Sequence, residues 1–406
     1  MSNVVPEGWE ETKLGHVASL TMGQSPSSDT YNTEAIGLPF FQGKADFGSR
    51  NPRVRYWCNK PTKVADEGSI LFSVRAPVGE VNITTTTCCI GRGLTGIKAA
   101  SADQEFLYQK LQYVKPLFVL LSQGSTFEAV NGGEMKEFPL TLPPLPEQKK
   151  IAAILASVDE VIEKTRAQID KLKDLKTGMM QELLTKGIGS DGVPHTEFKD
   201  SPVGRIPASW DVLAISAVCS EIVDCVNKTA PVVDYVTPYR MIRTTNVRDG
   251  RIKTEGLRYV TPETFNLWTR RLKLEAGDLI FTREAPVGEC GLLQEATGLF
   301  LGQRTMVYRV NKNKMSNFFL LYSMQSEYCQ SQLSDLSGGS TTPHLRVPDC
   351  SKILLKVPLI SEQKLISESI RGADSLLEKQ QDKIAELNSL KKALMQDLLT
   401  GKVRVR

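Results

Sequence analysis

The sequence predicts an α+β fold: two pseudo-symmetric mixed α/β domains joined by two long helices that form an antiparallel coiled coil. Residues 147–185 recur at 362–400 without a gap, identical at 16 of 39 positions, among them Glu147, Gln148, Asp159, Lys176 and Leu184. Both copies place an apolar residue every three or four positions, and each follows a globular stretch of roughly 150 residues with short strand-like runs. The order predicted is a domain over 1–146, a helix over 147–186, a linker and second domain over 187–361, and a second helix with a short basic tail over 362–406.

The globular stretches repeat more faintly. Pro6-Glu-Gly-Trp9 opens the first and Pro207-Ala-Ser-Trp210 the second. Gly68-Ser-Ile-Leu-Phe72 with Ala76-Pro-Val-Gly-Glu80 matches Gly277-Asp-Leu-Ile-Phe281 with Ala285-Pro-Val-Gly-Glu289, and Gly124-Ser-Thr126 matches Gly339-Ser-Thr341. Residues 78–89 and 277–281 read as strands, and 106–121 and 316–333 as helices. Well-matched helices beside more divergent globular parts suit one scaffold that presents two different surfaces. Drift after duplication leaves the same trace.

In the first helix the seam runs Ile151, Leu155, Val158, Ile162, Thr165, Ile169, Leu172, Lys176, Met179, Leu183. In the second it runs Ile366, Ile370, Ala373, Leu377, Gln380, Ile384, Leu387, Lys391, Leu394, Leu398. Steps of four and three make a heptad, so the two helices are expected to pair with each other. The alternative, each helix packed on its own domain, asks for a wider apolar stripe. A parallel in-register pair would press Lys176 against Lys391. A symmetric antiparallel register sets Lys176 against Ala373 and Lys391 against Val158, and lets the lysine stems snorkel outward. Thr165 and Gln380 help to fix that register. Thirty-nine helical residues span roughly 58 Å, enough to hold two readers about a DNA turn or more apart. Leu142-Pro-Pro-Leu-Pro-Glu-Gln148 and Val357-Pro-Leu-Ile-Ser-Glu-Gln363 read as helix starts, and the glycines of 187–194 as a helix stop.

Composition narrows the class. The chain has 406 residues, 41% of them hydrophobic, and a formal net charge of +4. No window approaches the roughly 18 apolar residues of a membrane span, and the N-terminal residues lack a signal-peptide pattern, so a cytoplasmic location is expected. Eight cysteines without a CxxC point to reduced thiols rather than to zinc or disulfides. The mild net charge hides two basic clusters. Residues 44–63 hold Lys44, Arg50, Arg53, Arg55, Lys60 and Lys63 against Asp46; residues 240–258 hold Arg240, Arg243, Arg248, Arg251, Lys253 and Arg258 against Asp249 and Glu255. Both precede the Ala-Pro-Val-Gly-Glu motif of their repeat and suit two phosphate-binding footprints, although a solvated face reads alike. No catalytic or metal site is expected. Gly37 to Ala45 misses the phosphate-loop spacing, and His195-Thr-Glu197 lacks the cysteine pair of a deaminase.

Several motifs together are more specific: LPPLPEQKKIAAIL at 142–155, the second EQK helix start at 362, MMQELLT with LMQDLLTGKV, and FKDSPVGRIPASW at 198–210. Over essentially the whole chain they resemble the specificity subunit of a type I restriction–modification system. The resemblance implies two target recognition domains, each reading half of a bipartite double-stranded DNA sequence, with the helices setting the unread spacer. It implies no catalysis by this chain. It also implies assembly with two adenine methyltransferase subunits that use S-adenosylmethionine, and with restriction and translocase subunits that use ATP and Mg. The second helix entry departs from the pattern, with LISEQ in place of LPPLPEQ.

Base edges suit Arg for guanine and Asn or Gln for adenine. The DNA-binding candidates are Gln24, Lys44, Arg50, Arg53, Arg75 and Arg92 in the first domain, and Arg240, Arg243, Asn246, Arg248, Arg251, Arg283 and Arg304 in the second. Arg75 aligns with Glu284, a place where the two domains would read different bases. Two further readings stay open on the residues alone: a coiled-coil protein scaffold without DNA readout, and the recognition module of a modification-only methyltransferase complex.

Overall fold

A computed structural model describes residues 5–123, 129–189, 191–338 and 343–405, so the triads Gly124-Ser-Thr126 and Gly339-Ser-Thr341 lie outside the described residues. The chain divides into two compact units, one made of Met1–Ile169 with Gln380–Arg406 and the other of Asp170–Lys379. Each unit holds one globular stretch and a part of both long helices.

In the first unit an antiparallel sheet runs in the order Ala18–Met22, Leu94–Ala99, Ile70–Ser73, Val81–Ile83. A second, mixed sheet contains Leu38–Phe41 and Cys88–Ile90 as a parallel pair. Strand Ile70–Ser73 is buried on both faces. Ile70 and Phe72 point into one core with Phe106, Phe118 and Leu140, while Leu71 points into another with Phe41 and Ile90. The second unit repeats this design in a larger sheet. There Leu279 and Phe281 join the main core around Trp210 and Tyr308, and Ile280 joins a second core with Ile242 and Val307. A two-residue period with both faces apolar explains why this run, among the globular parts, resisted divergence.

Three sequence expectations are corrected. Residues 106–121 form two helices, Gln104–Tyr113 and Lys115–Ser122, because Pro116 sits in the first turn of the second and has no N–H to continue the first. Residues 316–333 likewise form Asn317–Gln325 and Glu327–Leu336, parted at Ser326, whose backbone is extended and whose hydroxyl donates to the Ser323 carbonyl. Residues 78–89 form not one strand but parts of two, Val81–Ile83 and Cys88–Ile90.

The long helices are Leu145–Leu183 and Ile360–Leu398. The repeated Glu-Gln at their starts has a tertiary cause. Gln148 donates to the Pro143 carbonyl and accepts from the Asp103 amide; Gln363 donates to the Pro358 carbonyl and accepts from the Ser316 amide. Each glutamine thereby ties its long helix to the N-terminus of a short one. Buried Glu147 accepts from Arg404 at 2.8 Å through both oxygens. Buried Glu362 accepts from Trp210, from His195 and from the amides of Ile188 and Gly189. His195 is thus a structural partner. Gly187 and Gly401 have φ of +67 and +72; a Cβ at Gly187 would strike the ring of Trp210, and one at Gly401 would strike Pro6 and press on the ring of Trp9 at 3.1 Å. The chain that leaves each helix therefore crosses a tryptophan on a glycine.

Every apolar seam residue is buried or half-buried: Ile151, Leu155, Val158, Ile162, Ile169, Leu172, Met179 and Leu183 in the first helix, and Ile366, Ile370, Ala373, Leu377, Ile384, Leu387, Leu394 and Leu398 in the second. The helices run antiparallel within each unit. In the first, Glu147 meets Arg404 and Asp159 meets Lys391; in the second, Lys176 meets Asp374, and Leu184 shares a core with Ile366. The seam lysines do not snorkel past Ala373 and Val158 as expected. Each forms a 2.6 Å ion pair with the next residue along, Asp374 or Asp159. The helices also pack on the domains. Ile151 and Leu155 share a core with Trp9 and Leu398, so pairing and domain packing coexist.

Asp374→Ala, which strands Lys176 in the seam, is expected to lower stability by about 1–3 kcal/mol. Lys176→Met in the same chain restores most of that loss, as read by urea unfolding. The Arg404 guanidinium holds the Glu147 carboxyl below its ordinary value near 4.5. The resulting stability is present above that value and lost as pH falls through the lower folded one. The melting difference between the parent and Glu147→Gln is therefore widest near neutral pH and closes as the pH falls through the lowered folded value.

Candidate nucleic-acid interface

Each unit builds a polar lip from the same loops. In the first, Gly91 N donates to Phe41 O, Val74 N to Gly93 O, and Gly23 N to Leu94 O. In the second, Gly302 N donates to Ile242 O, Arg283 N to Arg304 O, and Cys225 N to Thr305 O. A short 3₁₀ turn follows the central strand in both. Asp46 caps it by accepting from Gln42 N, and Asn246 does so by accepting from Arg243 N. Arg53 N then bonds Asp46 O, as Lys253 N bonds Asn246 O. Beyond the strand that carries Phe72 or Phe281, Arg75 bridges to Ala129, and Glu284 to His344. Both Ala-Pro bonds that follow are cis.

This scaffold sorts the sequence candidates. In the first unit Gln24, Lys44, Arg53, Arg75 and Arg92 are exposed. Gln24 N bonds Ile90 O, Arg92 N bonds the Ser25 hydroxyl, and Arg75 adjoins Val74, so the backbone draws Gln24, Arg75 and Arg92 to one lip. Lys44, Arg53, Arg75 and Arg92 have no ion-pair partner among the described residues. Arg50 faces elsewhere: it makes a two-pronged ion pair with Glu105 and lies 5.0 Å from the centroid of Tyr108.

In the second unit Arg243, Arg283 and Arg304 stand at the lip. Arg304 is exposed and pairs with Glu284 at 3.3 Å, and Arg283 donates to the Leu345 carbonyl. Arg248 is held by the carbonyls of Thr244 and Val247. Arg251 pairs through both nitrogens with Glu378 of the second long helix. With Arg240 it lines a cavity of about 760 Å³ beside Arg371 and Asp374 of the same helix. Asn246 is buried and serves as the turn cap. Five candidates (Arg50, Arg240, Asn246, Arg248 and Arg251) are thus engaged within the protein or turned toward the helices.

Gln42, Gln303 and His344 join the lips without having been singled out from sequence. Loop lengths differ between the repeats, so the spacing between equivalent positions drifts, and only the backbone bonds align them. Among the described residues no group of His, Cys, Asp or Glu could hold a metal ion. None of the helices there is long and apolar enough to cross a membrane.

Asp46 also forms an ion pair with Arg55. Asp46→Asn retains the cap, as Asn246 does, so its melting temperature is expected to stay close to that of the parent. Asp46→Ala loses the cap as well and costs about 1–2 kcal/mol.

The type I restriction modification DNA specificity domain model matches residues 6–174 and 259–389. The chain is 26% identical to the type I restriction enzyme MjaVIII specificity subunit of Methanocaldococcus jannaschii, over 99% of this chain and 94% of that one. A 185-residue stretch is 44% identical to the putative MjaX specificity subunit of the same organism, covering 45% of this chain and 44% of the relative, so this match spans less than half of that relative. The fold resembles the crystal structure of a type I restriction-modification S subunit from M. genitalium, with a TM-score of 0.63, 13% identity and 98% of each chain covered. With a family model matching most of its length in two regions, the chain belongs to the type I restriction modification DNA specificity family, and recognition of a DNA target is the role of that family's domain.

Proposed function

We propose that this chain reads a bipartite double-stranded DNA target, each unit reading one half-site with its lip, while the two long helices set the unread spacer. The observation that carries this reading is the duplicated lip: one backbone scaffold, built twice, with different polar residues at matching places. Both 39-residue helices contribute to both units, which suits a ruler. Exposed Lys44, Arg53, Arg75 and Arg92 supply cations for phosphates and base edges in the first unit.

The same reading gives catalysis to partners: two methyltransferase subunits that use S-adenosylmethionine, and restriction or translocase subunits that use ATP and Mg. Four exposed apolar residues support a docking face. Val161 and Leu175 of the first helix recur as Leu376 and Leu390 of the second, and all are at least 40% exposed. The register set by Asp159 and Lys391 brings Val161 near Leu390, and that of Lys176 and Asp374 brings Leu175 near Leu376. Each unit thereby offers one apolar pair, which would sit at the centre of the contact with one methyltransferase subunit.

Mapping of methylated adenines in cells that express this chain with the methyltransferase of its own system tests the reading. A bipartite motif is expected. Inserting four residues in both helices lengthens the spacer and leaves the half-sites unchanged; a continuous motif overturns the reading. Leu175→Glu with Leu376→Glu is expected to weaken methyltransferase co-purification while the salt-sensitive DNA shift persists.

A further inference from the structure

The backbone bonds of the two lips align residues that sequence spacing alone does not. Gln42 takes the place of Arg243, because each follows the residue whose carbonyl accepts from a lip glycine, Phe41 from Gly91 and Ile242 from Gly302; the first lip then has one extra residue, Gly43, before its 3₁₀ turn. Arg75 takes the place of Glu284, because each forms the bridge beyond the strand that carries Phe72 or Phe281. Gly93 takes the place of Arg304, because each carbonyl accepts from that strand, and Arg92 and Gln303 precede them.

The chemistry at these places is exchanged. Where the first lip has Gln42 and Arg92, the second has Arg243 and Gln303. Where the first has Arg75 beside a glycine, the second has Glu284 beside Arg304. A side chain at Gly93 would meet the Gln42 carbonyl at 2.5 Å, so the first lip has no room for one. In the second, Arg304 adopts a φ of +70, which non-glycine residues seldom take, and Glu284 engages its Nε at 3.3 Å. Among the described residues the terminal nitrogens of Arg304 make no hydrogen bond, so they can form a fork.

We propose that Gln42, Arg75 and Arg92 are specificity-determining residues of the first half-site, and that Arg243, Gln303 and Arg304 are those of the second, with Glu284 as the positioning residue for Arg304. The inference rests on the bipartite reading above and assigns its chemistry. Arginine forks match the O6 and N7 acceptors of guanine, and glutamine matches the N6 and N7 of adenine. The two lips thus read the same kinds of base edge in a different order, and the two half-sites differ.

The test is adenine-methylation mapping with the whole complex. Gln42→Arg with Arg92→Gln gives the first lip the Arg/Gln order of the second and leaves Arg75 and Gly93 in place. One half-site is expected to change at the positions those residues read, while the other half-site and the spacer persist. Arg243→Gln with Gln303→Arg changes the opposite half. The untouched half-site serves as an internal control for folding and assembly. Arg92→Lys, which keeps the charge and loses the fork, is expected to relax one base position by roughly tenfold or more. Unchanged half-sites in both exchanged variants, or loss of both halves together with an unaltered melting temperature, overturns the assignment. A continuous motif in the parent instead overturns the bipartite reading itself.

Discussion

Two lysines half-buried in an apolar seam, each neutralised by an aspartate across it, govern how the long helices meet. Lys176 with Asp374 and Lys391 with Asp159 are related by the same repeat that relates the helices. A slip along the seam would strand two half-buried ammonium groups against apolar neighbours. That cost is larger than anything Val158 or Ala373 could return by packing, so the pairs penalise other registers more than they stabilise this one. Nearby side chains reinforce them. Tyr322 donates to Asp374, and Gln109 to Asp159, so each unit clamps its own ion pair with a hydrogen bond from a short helix.

The helix ends are closed by a second repeated device. A buried glutamate at the start of each long helix accepts hydrogen bonds from the chain that has just left the other helix: Glu147 from Arg404 and Val405, Glu362 from Ile188, Gly189 and His195. In both units that segment passes over a tryptophan on a left-handed glycine. The two solutions use unlike partners for the same carboxylate. Geometry was retained there rather than residue identity, because a buried charge tolerates any set of donors that satisfies it.

The lips show the opposite economy. Their backbone bonds are preserved and their side chains exchanged, which separates what holds the loops from what the loops present. Caps such as Asp46 and Asn246 face inward and hold the turn, whereas Arg75, Arg92 and Arg304 are left to solvent. A basic cluster seen in sequence mixes these roles. Arg50 and Arg251 neutralise Glu105 and Glu378, so charge density along the chain overstates the charge each lip can offer.

By itself the sequence determined the duplication and the two long helices, because a heptad repeated without gaps leaves a periodic trace that no packing detail can mask; the placement of Lys176 and Lys391 at equivalent seam positions pointed to antiparallel pairing, and the repeated motifs carried the family resemblance. It could not separate one short helix from two at Val114 or Ser326, where a single proline or an extended serine decides. Only the tertiary structure decided which aspartate each seam lysine would meet, since that choice depends on a one-residue difference in stagger. It alone also decided which polar residues share a lip. Those residues come from loops of unequal length, and spatial neighbours bound by backbone hydrogen bonds keep no constant spacing along the chain.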